Sequence, residues 1–179
     1  MALIGLKNIF YSIMESDTAT TTTYGTPVKL SQAISVDINP SIQKATLYGD
    51  DAPIAANTSI TEIVVTIETA DIPLEAQAHL LGHSIDDSGT LIAKASDSAP
   101  YVGLMFESEM HNGDIRCVKL YKGKFAPTQE TINTRGESLE YQIPRLEGSF
   151  VARESDGAWK KVHDFLKNSP TDVWYQNMD

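Results

Sequence analysis

Residues 101–125 read YVGLMFESEMHNGDIRCVKLYKGKF. Val102, Leu104 and Phe106 fall on alternate positions, the period-two pattern of a strand with a buried face. Asn112-Gly113 then signals a tight turn, since a type I′ hairpin needs positive φ at both central residues. Residues 115–125 form the return strand. The segment is an antiparallel hairpin, and the rest of the chain is read outward from it.

On the N-terminal side, residues 61–69 (TEIVVTIET) alternate Ile63, Val65 and Ile67 against Glu62, Thr66 and Glu68, a second strand. Between them, residues 71–81 (DIPLEAQAHLL) predict a helix. Pro73 and Glu75 suit its first turn, Gly82 can end it, and Leu74, Ala78 and Leu81 share a face. Further back, residues 28–38 are strand-like and stop at Pro40, after a turn at residues 24–27. The polar run DTATTTTY at residues 17–24 reads as a mobile loop. Residues 41–57 (SIQKATLYGDDAPIAAN) fit neither period and read as a long loop that packs on something, because they carry Ile42, Leu47, Tyr48 and Ile54.

On the C-terminal side, Leu139, Tyr141 and Ile143 alternate, and residues 146–151 continue as strand. Asp156-Gly157 makes a turn. Trp159, Val162, Phe165 and Leu166 have helical spacing, which Asn168 and Pro170 terminate. The expected architecture is mainly β (α+β): an antiparallel β-sandwich or barrel with one flanking helix, a C-terminal helix, a long loop and terminal arms. Residues 1–168 form a single domain, and residues 169–179 an arm.

Length and composition agree. A chain of 179 residues with 41% hydrophobic and 21% charged residues can bury a core without disulfide staples. Its single cysteine, Cys117, excludes an internal disulfide framework or a multi-cysteine zinc site, and reads as a buried, inert thiol. The formal charge is 14 − 24 = −10, which argues against a nucleic-acid or anionic-membrane binder. The charge is uneven. Residues 1–90 carry 3 basic and 11 acidic side chains (−8), and residues 91–179 carry 11 and 13 (−2). Such asymmetry favours head-to-tail attraction between copies. No apolar run reaches the roughly 20 residues of a membrane-spanning helix. Lys7 and Asn8 break the apolar N-terminus, which reads as mature protein rather than a signal peptide.

The search for chemistry yields little. Glu75, His79 and His83 are spaced i, i+4, i+8, but Gly82 would place His83 beyond the helix and spoil a metal site. Asp50-Asp51 and Asp86-Asp87 lack the ligand spacing of a calcium loop and read as turns. Lys119, Lys122 and Lys124 interleave with Tyr121 and Phe125, a single-strand-binding pattern that the net charge opposes. No phosphate-binding, dinucleotide-binding or nucleophile-elbow motif is present. The expectation is a protein that is not an enzyme and carries no cofactor.

Several stretches in order carry a resemblance: GLKNIFYSIM (5–14), YGTPVKLSQAISVDINP (24–40), LYGDD (47–51), TIETADIPLEAQAHLLGHSID (66–86), APYVGLMFESEMHNGDIRCVKLYKGKF (99–125) and SFVARESDGAWKKV (149–162). Together they resemble the major tail proteins, or tail tube proteins, of long-tailed non-contractile bacteriophages of Gram-positive hosts. LYGDD stands where that family usually has an aromatic-small-Asp pattern. The resemblance implies a structural β-sandwich protein of the virion tail, assembled in the host cytoplasm. Its copies form hexameric rings stacked into a hollow tube for DNA delivery. Partners would be other copies, the tape-measure, tail-tip and terminator proteins, and DNA in transit, with no membrane. An acidic lumen would repel DNA phosphates.

Stacking requires a heterologous contact that does not close. Residues 44–57 are the expected ring-to-ring loop, with Leu47, Tyr48 and Ile54 as apolar anchors and Lys44, Asp50 and Asp51 as polar contacts. Lys160, Lys161 and Lys167 would pair with acids of the next subunit. Trp174 and Tyr175 are two aromatics on a tail, which implies an arm seeking a partner surface. The competing readings are a virion-associated β-sandwich binding module for a receptor or carbohydrate, a type VI-like secretion tube subunit, and a small metal-dependent hydrolase.

Overall fold

A computed structural model describes residues 2–49, 52–128, 134 and 143–178, with backbone alone for 45–49 and 52–57. The strands are β1 (Leu3–Asp17), β2 (Thr22–Tyr24), β3 (Val28–Lys29), β4 (Ala33–Gly49), β5 (Ala52–Thr69), β6 (Ser84–Ile85), β7 (Leu91–Ile92), β8 (Val102–Met110), β9 (Ile115–Ala126), β10 (Arg145–Val151) and β11 (Lys160–Phe165). Among the described residues, one α-helix, α1, spans Leu74–Leu81, and a single 3₁₀ turn spans Asp172–Tyr175. The protein is mainly β, with an antiparallel sheet and one flanking helix.

The main sheet runs β2-β1-β8-β9-β10-β5-β4, with β3 also on β1 and β11 also on β9. Strand β9 is the hub. One edge of it pairs with β8. The other edge is divided: Ile115 to Leu120 pair with β11, and Lys122 to Ala126 pair with β10. A twisted sheet divides in this way when two shorter strands diverge from one long strand. The two small strands β6 and β7 form a separate ladder beyond α1.

The inner face gathers Ile9 and Tyr11 from β1, Ile63, Val65 and Ile67 from β5, and Val102, Leu104 and Phe106 from β8. Leu120, Phe125, Leu146 and Phe150 complete the strand side, and Ala76, Leu80 and Leu81 of α1 close it. The helix boundary at Gly82 is as expected. Gly82 is left-handed (φ 74°), its N–H bonds the Ala78 carbonyl, and a Cβ there would meet the Ser98 carbonyl oxygen at 2.3 Å. The β8–β9 hairpin also forms where predicted, but its turn differs. Only Gly113 has positive φ (86°), Gly113 N–H bonds the Met110 carbonyl at 2.8 Å, and Met110 N–H bonds that of Asp114 at 2.8 Å. That is a three-residue loop ending in a left-handed glycine, not a type I′ turn.

Three sequence expectations are corrected. The first is the C-terminal helix: Lys160–Phe165 is a strand. Its apolar residues do not alternate and Lys160–Asp164 are all exposed, so no buried face selects the strand; β9 had an open edge whose backbone groups needed partners. The second is the long loop at residues 41–57. Its described backbone belongs to β4 and β5, which pair from Ala33↔Thr69 out to Gly49↔Ala52. Pro40 does not end the strand, because β4 is an edge strand and a missing N–H on its open side costs no ladder bond. The third is the polar run 17–24, which is not a loose loop. Thr22–Tyr24 pair with β1, and a Thr18–Thr21 turn closes the hairpin. Of the strand expected around Leu139, Tyr141 and Ile143, the first two lie outside the described residues, and Ile143 is exposed coil.

Candidate functional site: a projecting hairpin and a strapped sheet face

Strand β10 pairs with β5 only from Glu68 to Ile63. Beyond that point, among the described residues, β4 and β5 have no third strand and pair only with each other. The ribbon has two irregularities: Leu47↔Ala55 passes to Tyr48↔Pro53, and Ser41↔Glu62 passes to Ile42↔Ile60, leaving Thr61 extra; the Thr61 hydroxyl bonds the Ser41 carbonyl at 3.3 Å. Nine residues from Ser41 to Gly49, at ~3.3 Å each, carry the tip on the order of 30 Å past the sheet. Ile42 and Ile60 face each other across the ribbon and are about half exposed. Isolated two-stranded ribbons are marginal in water, so an exposed apolar pair on one marks a surface awaiting a contact.

Of the predicted contact residues, Lys44 is exposed on this ribbon opposite Thr58. Leu47 and Tyr48 pair through their backbones with Ala55 and Pro53, and Ile54 falls at the register shift between them. The side chains of Leu47, Tyr48 and Ile54 lie outside the described residues, as do Asp50 and Asp51. Ile42 is already among the apolar residues that mark this segment as packing on something, but its cross-strand partner Ile60 is not singled out by the sequence pattern.

The second surface is the outer face of β1, β8, β9 and β11. It is not solvated. Residues 171–178 fold back across it and bury Trp174 and Met178. Tyr175 stacks on Phe10 with ring centroids 4.7 Å apart, and its hydroxyl donates to Glu107 Oε2 at 3.0 Å. Glu107 Oε1 accepts from Asn8 Nδ2 at 2.8 Å. Lys119 Nζ donates to the Asn177 carbonyl at 2.8 Å and lies 4.5 Å from the Trp174 ring centre. The expectation of two exposed aromatics on a free arm therefore fails. An aromatic tail that can cover apolar and charged sheet residues of its own chain does so.

Lys161 pairs directly with Lys119 across β9 and β11, and its ammonium lies 6.0 Å from the same Trp174 ring. Like charges so opposed repel each other, and the ring's negative face offsets this. Lys160 lies over Trp159 at 5.7 Å. Lys167 is exposed, its backbone N–H bonding Asp114 Oδ1 at 2.9 Å and its stem covering Gly113. The structure thus brings Lys161, Trp174 and Tyr175 together on one face and leaves Lys44 on a different one.

Cys117 sits under the strap opposite Glu107. Burial first, and the Glu107 charge second, push its thiol up to about 12, so it is inert as expected. The same two causes, in the same order, raise the Tyr175 hydroxyl well above its usual value. Lys122 is also buried, its Nζ 2.6 Å from Asp17 Oδ2. Burial alone would raise the Asp17 carboxyl. The bonds from Lys122, the Glu154 amide and the Thr22 hydroxyl outweigh it and hold the group below the usual range. Two lysines of the basic-aromatic strand, Lys119 and Lys122, are therefore buried anchors, while Lys124 is half-buried with its Nζ 4.4 Å from the Tyr101 ring centre.

His79 and His83 do not converge. His79 shares a 3.0 Å hydrogen bond with the Tyr11 hydroxyl, and His83 Nδ1 donates to Asp97 Oδ2 at 2.9 Å. Among the described residues no three metal-ligating side chains cluster, and no helix is long and apolar enough to cross a membrane. No protein-family model matches the chain, and no curated protein matches it.

Proposed function

We propose that this chain is the tube-forming subunit of a long, non-contractile phage tail, assembling into hexameric rings that stack into a conduit for DNA. The observation that carries the reading is the β4–β5 ribbon, which extends beyond its own sheet and holds Ile42 and Ile60 exposed on it. A segment of that length finds its stabilising third layer on another molecule, and a heterologous contact repeated along an axis grows a filament. The sequence resemblance supplies the family. The acidic balance of −10 suits a conduit, since like charges disfavour a bound state between wall and nucleic acid.

On this reading the partners are other copies, the tape-measure, tail-tip and terminator proteins, and DNA in passage. The test is negative-stain electron microscopy of the purified chain at rising concentration, with light scattering alongside. Rings or hollow tubes are expected, and Leu47→Asp with Ile54→Asp should leave soluble subunits that form none. Tubes of normal yield from that double variant would remove the ribbon from the assembly. A chain that stays monomeric and binds carbohydrate or receptor instead would favour the binding-module reading.

A further inference from the structure

We propose that residues 171–178 are a releasable strap, which opens and closes over the outer face of β8, β9 and β11 as a unit while the sheet beneath stays folded. Four observations lead there, and none depends on the tube reading.

The strap is docked by side chains and not by a strand ladder. Among the described residues its own backbone bonds are local, Trp174 N–H to the Thr171 carbonyl and Gln176 N–H to that of Val173. Its anchors are side-chain contacts: Tyr175 on Phe10 and Glu107, the Trp174 ring among Lys119, Lys161, His163 and Phe165, the Asn177 carbonyl under Lys119, and Met178 in the notch above Gly103. Such a segment can leave without breaking any β pairing, as a low-stability unit of the fold.

Closure carries a built-in cost. Trp174 is more than nine-tenths buried, and its Nε1–H has no hydrogen-bond partner among the described residues. Opening returns that donor to water. The segment before it is a turn and not a strand: Leu166 is exposed and its carbonyl accepts from the Ser169 N–H, Asn168 holds a left-handed backbone (φ 67°), and Pro170 follows. Lys119 and Lys161, opposed across the strands, share the Trp174 ring only while the strap is shut.

Opening uncovers Glu107, Lys119, Met105 and Cys117, a face that is both charged and apolar and is withheld from contact when the strap is closed. Cys117 is the chain's one cysteine and lies under the strap, so it reports the opening directly.

The experiment is pulsed iodoacetamide alkylation of Cys117 in the full-length protein, read by mass spectrometry, across urea concentrations below the unfolding transition. The expected result is alkylation with a urea dependence much shallower than that of global unfolding followed by far-UV circular dichroism. Met178→Ala should speed it tenfold or more at zero urea with the sheet signal retained. Alkylation that rises with urea in step with global unfolding in both proteins would overturn the proposal. So would a Met178→Ala rate equal to that of the wild type.

Discussion

Met178 occupies the space that Gly103 leaves empty on β8. A Cβ at position 103 would lie 2.2 Å from the Met178 methyl and 3.0 Å from its sulfur. Gly103→Ala should therefore push the C-terminal segment off the sheet rather than distort the strand, since the methionine tip is the softer partner. The expected loss is about 1–3 kcal/mol in urea unfolding. It should come with faster Cys117 alkylation, a pairing that a general weakening of β8 would not single out.

Ile42 and Ile60 oppose each other on the ribbon beyond the three-stranded region and pack on nothing described in their own chain. Ile42→Asp with Ile60→Asp should leave the unfolding free energy within about 0.5 kcal/mol of the parent, as for exposed positions generally. Higher-order species should vanish from sedimentation profiles. A large drop in monomer stability would show that the pair is internal to the fold.

The Asp17–Lys122 pair ties β1 to β9 with both side chains nearly buried. Lys122→Met should cost about 3–5 kcal/mol, because it strands a buried carboxylate. The pH dependence follows from the depressed Asp17 carboxyl. Its stabilisation is fully present above the unfolded value near 3.8 and is lost as pH falls through the lower folded value. Urea midpoints measured between about pH 2 and pH 5 should fall more steeply for the parent than for Asp17→Asn. Equal slopes would count against the assignment.

Gly123 lies flat beneath the Phe150 ring, where a Cβ would approach three ring carbons at 2.5 Å. Phe150 is also held edge-on by Phe125, with centroids 5.8 Å apart, and cannot swing away freely. Gly123→Ala should cost about 1–3 kcal/mol or more by overpacking. Calorimetry of the variant checks it, and a compensating Phe150→Leu should recover part of the loss.

What the sequence revealed depended on whether a segment carried its own punctuation. The β8–β9 hairpin was legible because Asn112-Gly113 marks the turn between two alternating runs, and α1 because Pro73 and Gly82 bracket it. The β4–β5 ribbon was not. Pro40 reads as a stop until one knows that β4 lies at an edge, and residues 41–57 alternate weakly; residues 41–44 are exposed on both faces. For Lys160–Phe165, the apolar spacing is helical and misleads, because the open edge of β9, and not a buried face of the run itself, selects the strand. Burial of Trp174 and Tyr175 was beyond local reading, because Phe10, Glu107 and Lys119, distant in sequence, join His163 and Phe165 in covering them. Of the expected contact residues, Lys44 is exposed on the ribbon and Lys161 is on the strapped face; the side chains of Leu47, Tyr48 and Ile54 lie outside the described residues.

The order of pairing also sets a clock during synthesis. Strand β1 leaves the ribosome first, and β2 and β3 can cover one of its edges within seconds. Its other edge waits for β8, as the Lys7–Glu109 pair, 102 positions apart, makes plain. At ordinary elongation speeds of about 5–20 residues per second, that wait is about 5–20 s. Throughout it, Leu3, Ile4, Leu6 and Ile9 stand on an unpaired strand. Crowded polysomes making many copies at once are therefore where this chain is most exposed to premature cross-pairing. A nascent-chain chaperone engaging residues 3–13 would act at the interval the topology creates.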